Sequence, residues 1–190
     1  MKVRVIRRPP NVWMHWLFIV HIVALLAPLA RLLPIQNLAF GLNLFVILGT
    51  ICCLKNLEVK NPRYKKAGVF LLLSLVMLFV NRLLPNSLLS LISSVLSLIA
   101  VYQEYAAHSE VAAPYDMKLA RTWRSLFVWE IIIGVVTAMF SVVAVLALTM
   151  LEMDAARMTA IVSGAMMAVE AVLKVIYLSC LNKMVPIVSR

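Results

Sequence analysis

The chain reads as nearly continuous hydrocarbon broken by short polar intervals and one long one, YQEYAAHSEVAAPYDMKLARTWRSLFVWE, from Tyr102 to Glu130. Four apolar segments precede that interval and two longer ones follow it. A bilayer-spanning helix needs about 20 mostly apolar residues, and a hydrocarbon core offers no water to unpaired backbone groups, so each apolar run is assigned to a helix. The runs fall at about Val12 to Ala30, Leu38 to Leu54, Ala67 to Asn81 or Leu84, Leu88 to Ala107, Ser125 to Leu151 and Arg157 to Leu181. The expected fold is all-α, a polytopic transmembrane bundle of six helices arranged as three hairpins.

Composition strengthens this picture. The 190 residues are 64% hydrophobic with a mean hydropathy of +0.98, against roughly half apolar residues in soluble domains. Five glycines and no long Gly, Ser or Pro tract leave no sign of a linker, so residues 1–190 are expected to form a single transmembrane domain. The basic N-terminus leads into an apolar run without a small-residue cleavage site before the Arg31 to Asn37 loop, and is read as an uncleaved first helix. Cys52, Cys53 and Cys180 have no CxxC spacing and are expected to be free thiols.

A net charge of +10 would suggest nucleic acid in a soluble protein, but near membrane helix ends basic residues set orientation. Fourteen of the 18 Lys and Arg fall on one side: Lys2, Arg4, Arg7, Arg8, Lys55, Lys60, Arg63, Lys65, Lys66, Lys118, Arg121, Arg124, Lys183 and Arg190. The opposite side holds Arg31, Arg82 and Arg157, and Lys174 lies within the sixth run. Both termini are therefore expected in the cytoplasm. Trp13, Trp16, Trp123 and Trp129 fall near the same helix ends, where amphipathic rings favour the interface. Arg31-Leu32-Leu33-Pro34 recurs as Arg82-Leu83-Leu84-Pro85, an echo that suggests duplication of the first hairpin.

The candidate chemistry is sparse. Glu170 and Lys174, one turn apart in the sixth run, are expected to sit near mid-membrane, since Glu170 lies eleven residues, about 16 Å, from Leu181. Ionisable groups at that depth usually face the bundle interior. Glu170→Gln is accordingly expected to matter more than Glu110→Gln. His21, about 14 Å from the start of the first run, matches that depth, and Glu130 is an alternative partner for Lys174. Glu170, Lys174, His21 and Glu130 form the expected ligand-binding set.

Other polar groups favour plainer readings. Ser90, Ser93, Ser94 and Ser97 make a stripe suited to close helix packing, or to the wall of a cavity shared with Asn43 and Asn81. Glu104 and His108 share a helix face, but a metal needs three or four converging ligands, so they are expected in a solvated network with Lys118, Arg121 and Arg124. Asp116 is placed as the N-cap of a short helical run that enters the fifth span.

No HExxH, GxSxG, P-loop or paired haem-like histidines appear, and neither catalytic residues, metal nor cofactor are assigned. The leading reading is a transport-related protein that captures or translocates a small molecule through an intramembrane polar site. In size alone it is similar to the substrate-binding subunits of vitamin transporters driven by an energy-coupling module. One alternative is a structural or regulatory subunit that holds a cytoplasmic or membrane protein partner through its basic loops. A second is an enzyme at the cytoplasmic interface using Glu104, His108 and Asp116. Anionic lipid head groups are the expected partners of the basic loops, and nucleic acid is not.

Overall fold

A computed structural model describes residues 9–27, 38–150 and 155–189, without the side chains at 39, 137, 138, 140–163 and 165–167. The described residues form six α-helices: α1 (Pro10–Leu26), α2 (Leu38–Leu57), α3 (Pro62–Leu83), α4 (Ser87–Ala112), α5 (Met117–Met150) and α6 (Ala155–Val188). Four stretches within them, Phe40–Leu57, Pro62–Leu83, Ser87–Ala112 and Ala168–Val188, are long and apolar enough to cross a bilayer, which marks the chain as a membrane protein. The first copy of the Arg-Leu-Leu-Pro echo, and the Leu151–Asp154 connection, lie outside the described residues.

Local chemistry sets most of the visible boundaries. Asn61 accepts a hydrogen bond from the Arg63 amide (2.8 Å) with Pro62 at the first helical position, so α3 starts five residues before the apolar run does. Asn86 caps α4 by accepting from the Leu88 amide at 2.8 Å. Asp116 accepts from the amides of Lys118 (2.9 Å) and Leu119 (3.0 Å), as its placement before the fifth span anticipates. The segment it caps is continuous with the fifth apolar run, giving a helix of 34 residues, about 51 Å long and well beyond a hydrocarbon core about 30 Å thick. α4 likewise continues five residues past Ala107, carrying His108 into regular helix.

Each helix packs against its chain neighbours and α6 returns to α1, so the helices close a ring that α4 also spans to reach α6. α3 and α4 are the most closely associated pair and run antiparallel. Near one end Asn61 Nδ2 donates to Glu110 Oε2 (2.8 Å), and further along a reciprocal serine contact joins them. There Ser74 Oγ donates to the Ser93 carbonyl (2.9 Å) while Ser93 Oγ donates to the Ser74 carbonyl (3.0 Å). One member of the serine stripe thus has the close-packing role, whereas Ser90 and Ser94 are exposed and Ser94 bonds back to the Ser90 carbonyl. Asn43 and Asn81 do share a cavity of about 390 Å³, but its walls come from α2 and α3, without the serines.

Among the described side chains, the largest fully buried ones gather at one end. Met14, Leu17, Leu54, Leu57, Tyr64, Trp123, Leu181 and Met184 are fully buried, and all lie toward the end that carries Lys55, Lys65, Lys118, Arg121 and Lys183. This is the basic end of the bundle. Trp123, expected as an interfacial anchor, is instead 0% exposed because α4 and α6 close over it; Trp16 and Trp129 remain exposed.

Candidate functional site

Within that tight half, four helices bring a polar cluster together. Glu104 and His108 lie one turn apart on α4, on the same face as Ala100, Ala107 and Ala112, whose small side chains let α3, α5 and α6 approach closely. His108 is 0% and Glu104 7% exposed. The solvated network expected for this pair with Lys118, Arg121 and Arg124 is therefore not formed. Its partners are phenols: Tyr177 of α6 donates to Glu104 Oε1 at 2.5 Å, and the Tyr64 hydroxyl of α3 lies 2.8 Å from His108 Nδ1.

The imidazole connects the two. His108 Nε2 is 3.5 Å from Glu104 Oε1, within ion-pair range but without hydrogen-bond geometry. The arrangement that best satisfies the groups places a proton on Nε2 toward the carboxylate, leaving Nδ1 to accept from Tyr64. Trp123 of α5 stacks on the imidazole, with centroids 4.4 Å apart and planes 28° apart. Among the described residues, no Lys or Arg nitrogen lies within 4.0 Å of Glu104.

The cluster continues on both sides. His21 of α1 packs its ring against Tyr177, centroids 4.6 Å apart, and its Nδ1 lies 3.0 Å from the Leu17 carbonyl. Tyr105 stands 5.5 Å from both the Tyr177 and Trp123 rings and donates to Glu130 Oε1 at 2.7 Å. Glu130 therefore takes a phenol as its hydrogen-bond partner, whereas the sequence suggested Lys174. Lys174 Nζ instead reaches the Ala24 carbonyl at 3.5 Å, helping to seat α6 on α1.

Glu170 departs most from expectation. Its side chain is exposed, and no Glu170–Lys174 ion pair occurs among the described residues. The pair shares one side of α6 by spacing, yet Lys174 turns toward α1. The premise that Glu170 alone is buried, while Glu110 is not, accordingly fails. Glu110 is also exposed, paired with Arg63 Nε at 2.8 Å. Asp116, the third residue of the enzyme reading, is engaged as the α5 cap and does not join Glu104 and His108.

The sequence pointed to Glu104, His108, His21 and Glu130 and placed Trp123 at the interface, but gave no sign of Tyr64 and Tyr177. The available signal was the alanine stripe flanking Glu104 and His108, which marks a face meant for close approach. Tyrosines on other helices give no periodic signal of convergence. Chemically, the cluster is a run of phenol, imidazole and carboxylate groups, buried at Tyr64, Glu104, His108 and Tyr177 and half-buried at His21 and Glu130. The chain matches no family model, no curated protein and no solved structure.

Proposed function

We propose that this is a multi-pass transport-related protein, with both termini in the cytoplasm, that captures or moves a small molecule through an intramembrane polar site centred on Glu104 and His108. The observation that carries the reading is the nearly complete burial of the Glu104 carboxylate beside the His108 imidazole, with no Lys or Arg ion pair to it among the described residues. Packing alone is served as well or better by apolar side chains of similar volume, whereas a protonatable pair within a membrane span has the chemistry of proton-linked movement. His21 and Glu130 extend this set through Tyr177 and Tyr105, and Lys174 and Glu170 lie further along α6. The concentration of basic residues at one end supports the orientation.

Reconstitution tests it. Phosphatidylcholine vesicles containing the protein and an internal pH-sensitive dye, supplied with a panel of small organic solutes, are expected to show solute-dependent proton movement above protein-free vesicles. Glu104→Gln is expected to abolish most of it while retaining cooperative unfolding. Movement equal to that of empty vesicles across the panel overturns the reading.

A second reading has its own support. Tyr64, His108 and Trp123 are each 0% exposed, and such closure suits a structural or regulatory subunit in which the network fixes helix order. In that case Glu104→Gln changes the unfolding temperature or partner retention and leaves vesicle pH unaffected.

A further inference from the structure

A second polar assembly lies outside this cluster, in a cavity of about 390 Å³ between α3, α4 and α5 at the basic end. We propose that it holds the phosphate-bearing head group of an anionic membrane lipid, gripped by Arg124, with the start of an acyl chain lying over Tyr102, Phe127 and Val128.

The position fits the ligand. Arg63 is the second residue of α3, Glu110 is two residues from the end of α4, and Arg124 lies about 10 Å into α5. Tyr102, on the opposite wall, is about 15 Å below the end of α4. The cavity thus runs from the polar end of the bundle into the apolar span. Its lower wall is open, with Tyr102 44% and Val128 53% exposed, and the Tyr102 and Phe127 rings stand 5.2 Å apart. A soluble phosphate would use the upper part alone, whereas a lipid uses both.

The charges are also arranged for an anion. Glu110 is tethered at one edge: Oε1 accepts from Arg63 Nε at 2.8 Å and Oε2 from Asn61 Nδ2 at 2.8 Å. Arg63 Nη1 donates to Gln103 Oε1 at 3.2 Å. Arg124 is held differently. Its Nε donates to Ser109 Oγ (3.1 Å), whose own proton goes to the Ala120 carbonyl (3.0 Å). That aims the guanidinium by its Nε edge, and among the described residues no carboxylate lies within 4.0 Å of it. Two arginines against one carboxylate leave the lining with a net positive charge, and a guanidinium fork matches phosphate oxygens.

The full-length protein in phosphatidylcholine nanodiscs with a minor fraction of phosphatidylglycerol is expected to retain one phosphatidylglycerol by native mass spectrometry. Arg124→Gln is expected to weaken that retention roughly tenfold. Arg121→Gln, which removes a neighbouring exposed charge that does not line the cavity, should leave it unchanged. Tyr102→Ala should weaken it through the apolar wall alone. Should Arg124→Gln fail to fold, Arg124→Lys keeps the charge without the fork and is expected to give intermediate retention. Equal losses in the Arg121 and Arg124 variants would reduce the effect to diffuse surface attraction and overturn the proposal. So would wild-type retention in either Arg124 variant, or displacement of the lipid by inorganic phosphate at millimolar concentration, which would assign the site to a soluble phosphate.

Discussion

The behaviour of single residues here turns on what surrounds a carboxylate. Tyr177→Phe deletes the hydroxyl that donates to Glu104 at 2.5 Å and leaves His108 Nε2, 3.5 Å away, without hydrogen-bond geometry to replace it. We expect a loss of about 1–3 kcal/mol, read from the thermal unfolding midpoint in detergent, because a buried charged acceptor forfeits its donor. Glu170→Gln is expected to change stability by less than about 0.5 kcal/mol in the same assay, since its side chain is exposed. A larger effect at position 170 than at 177 would contradict the geometry. At this scale the sequence showed which side chains are ionisable and which pairs share a helix face. It did not show that Lys174 turns to Ala24, or that Glu104 meets a phenol 73 residues away.

Between helices, small residues decide the fit. A Cβ added at Gly49 would lie 2.9 Å from Val20 Cγ2, so α1 and α2 would have to separate or Val20 change rotamer. At Gly68 the nearest atom outside its own helix turn is Leu54 Cβ at 3.7 Å, an ordinary contact. Gly49→Ala is therefore expected to destabilise by about 1–3 kcal/mol. Gly68→Ala should be neutral or stabilise by up to about 1 kcal/mol, alanine being the better helix former. Equal effects in parallel unfolding curves would refute the contrast. The Ser74–Ser93 contact lends itself to a double-mutant cycle with alanine, for which a coupling of about 0.6–1.7 kcal/mol is expected between α3 and α4. Zero coupling would mean that the reciprocal bonds do not join the helices.

At the scale of the whole molecule, the orientation proposed from the distribution of Lys and Arg can be measured directly. Cys52 is exposed while Cys53 and Cys180 are buried, so all three are first replaced. In that background, Asn86→Cys, at the start of α4, is expected to react with an impermeant maleimide on intact cells. Lys60→Cys, in the connection before α3, should react only after permeabilisation. Labelling of both from the same side would overturn the proposed topology. Tyr64 of α3, Trp123 of α5 and Tyr177 of α6 pack over Glu104 and His108 and make them inaccessible, where a loop-like polar stretch would have exposed them.

What the sequence by itself determined follows from solvent and period. Long apolar runs have only the helix as a way to satisfy their backbone in a bilayer, so helical class and element count were legible, and Asp116 marked a helix start. The polar Tyr102 to Glu130 stretch was read as an interruption because composition was weighed there over helix continuation. Only the tertiary structure decided that α4 continues to Ala112 with Glu104 and His108 buried, and which residues meet. Tyr64, His108, Glu104, Trp123 and Tyr177 come from four helices, and their convergence depends on the order and rotation of those helices in the ring. Hydropathy cannot encode rotation in such uniformly apolar segments, because several faces of each helix are equally acceptable to lipid until a partner helix selects one.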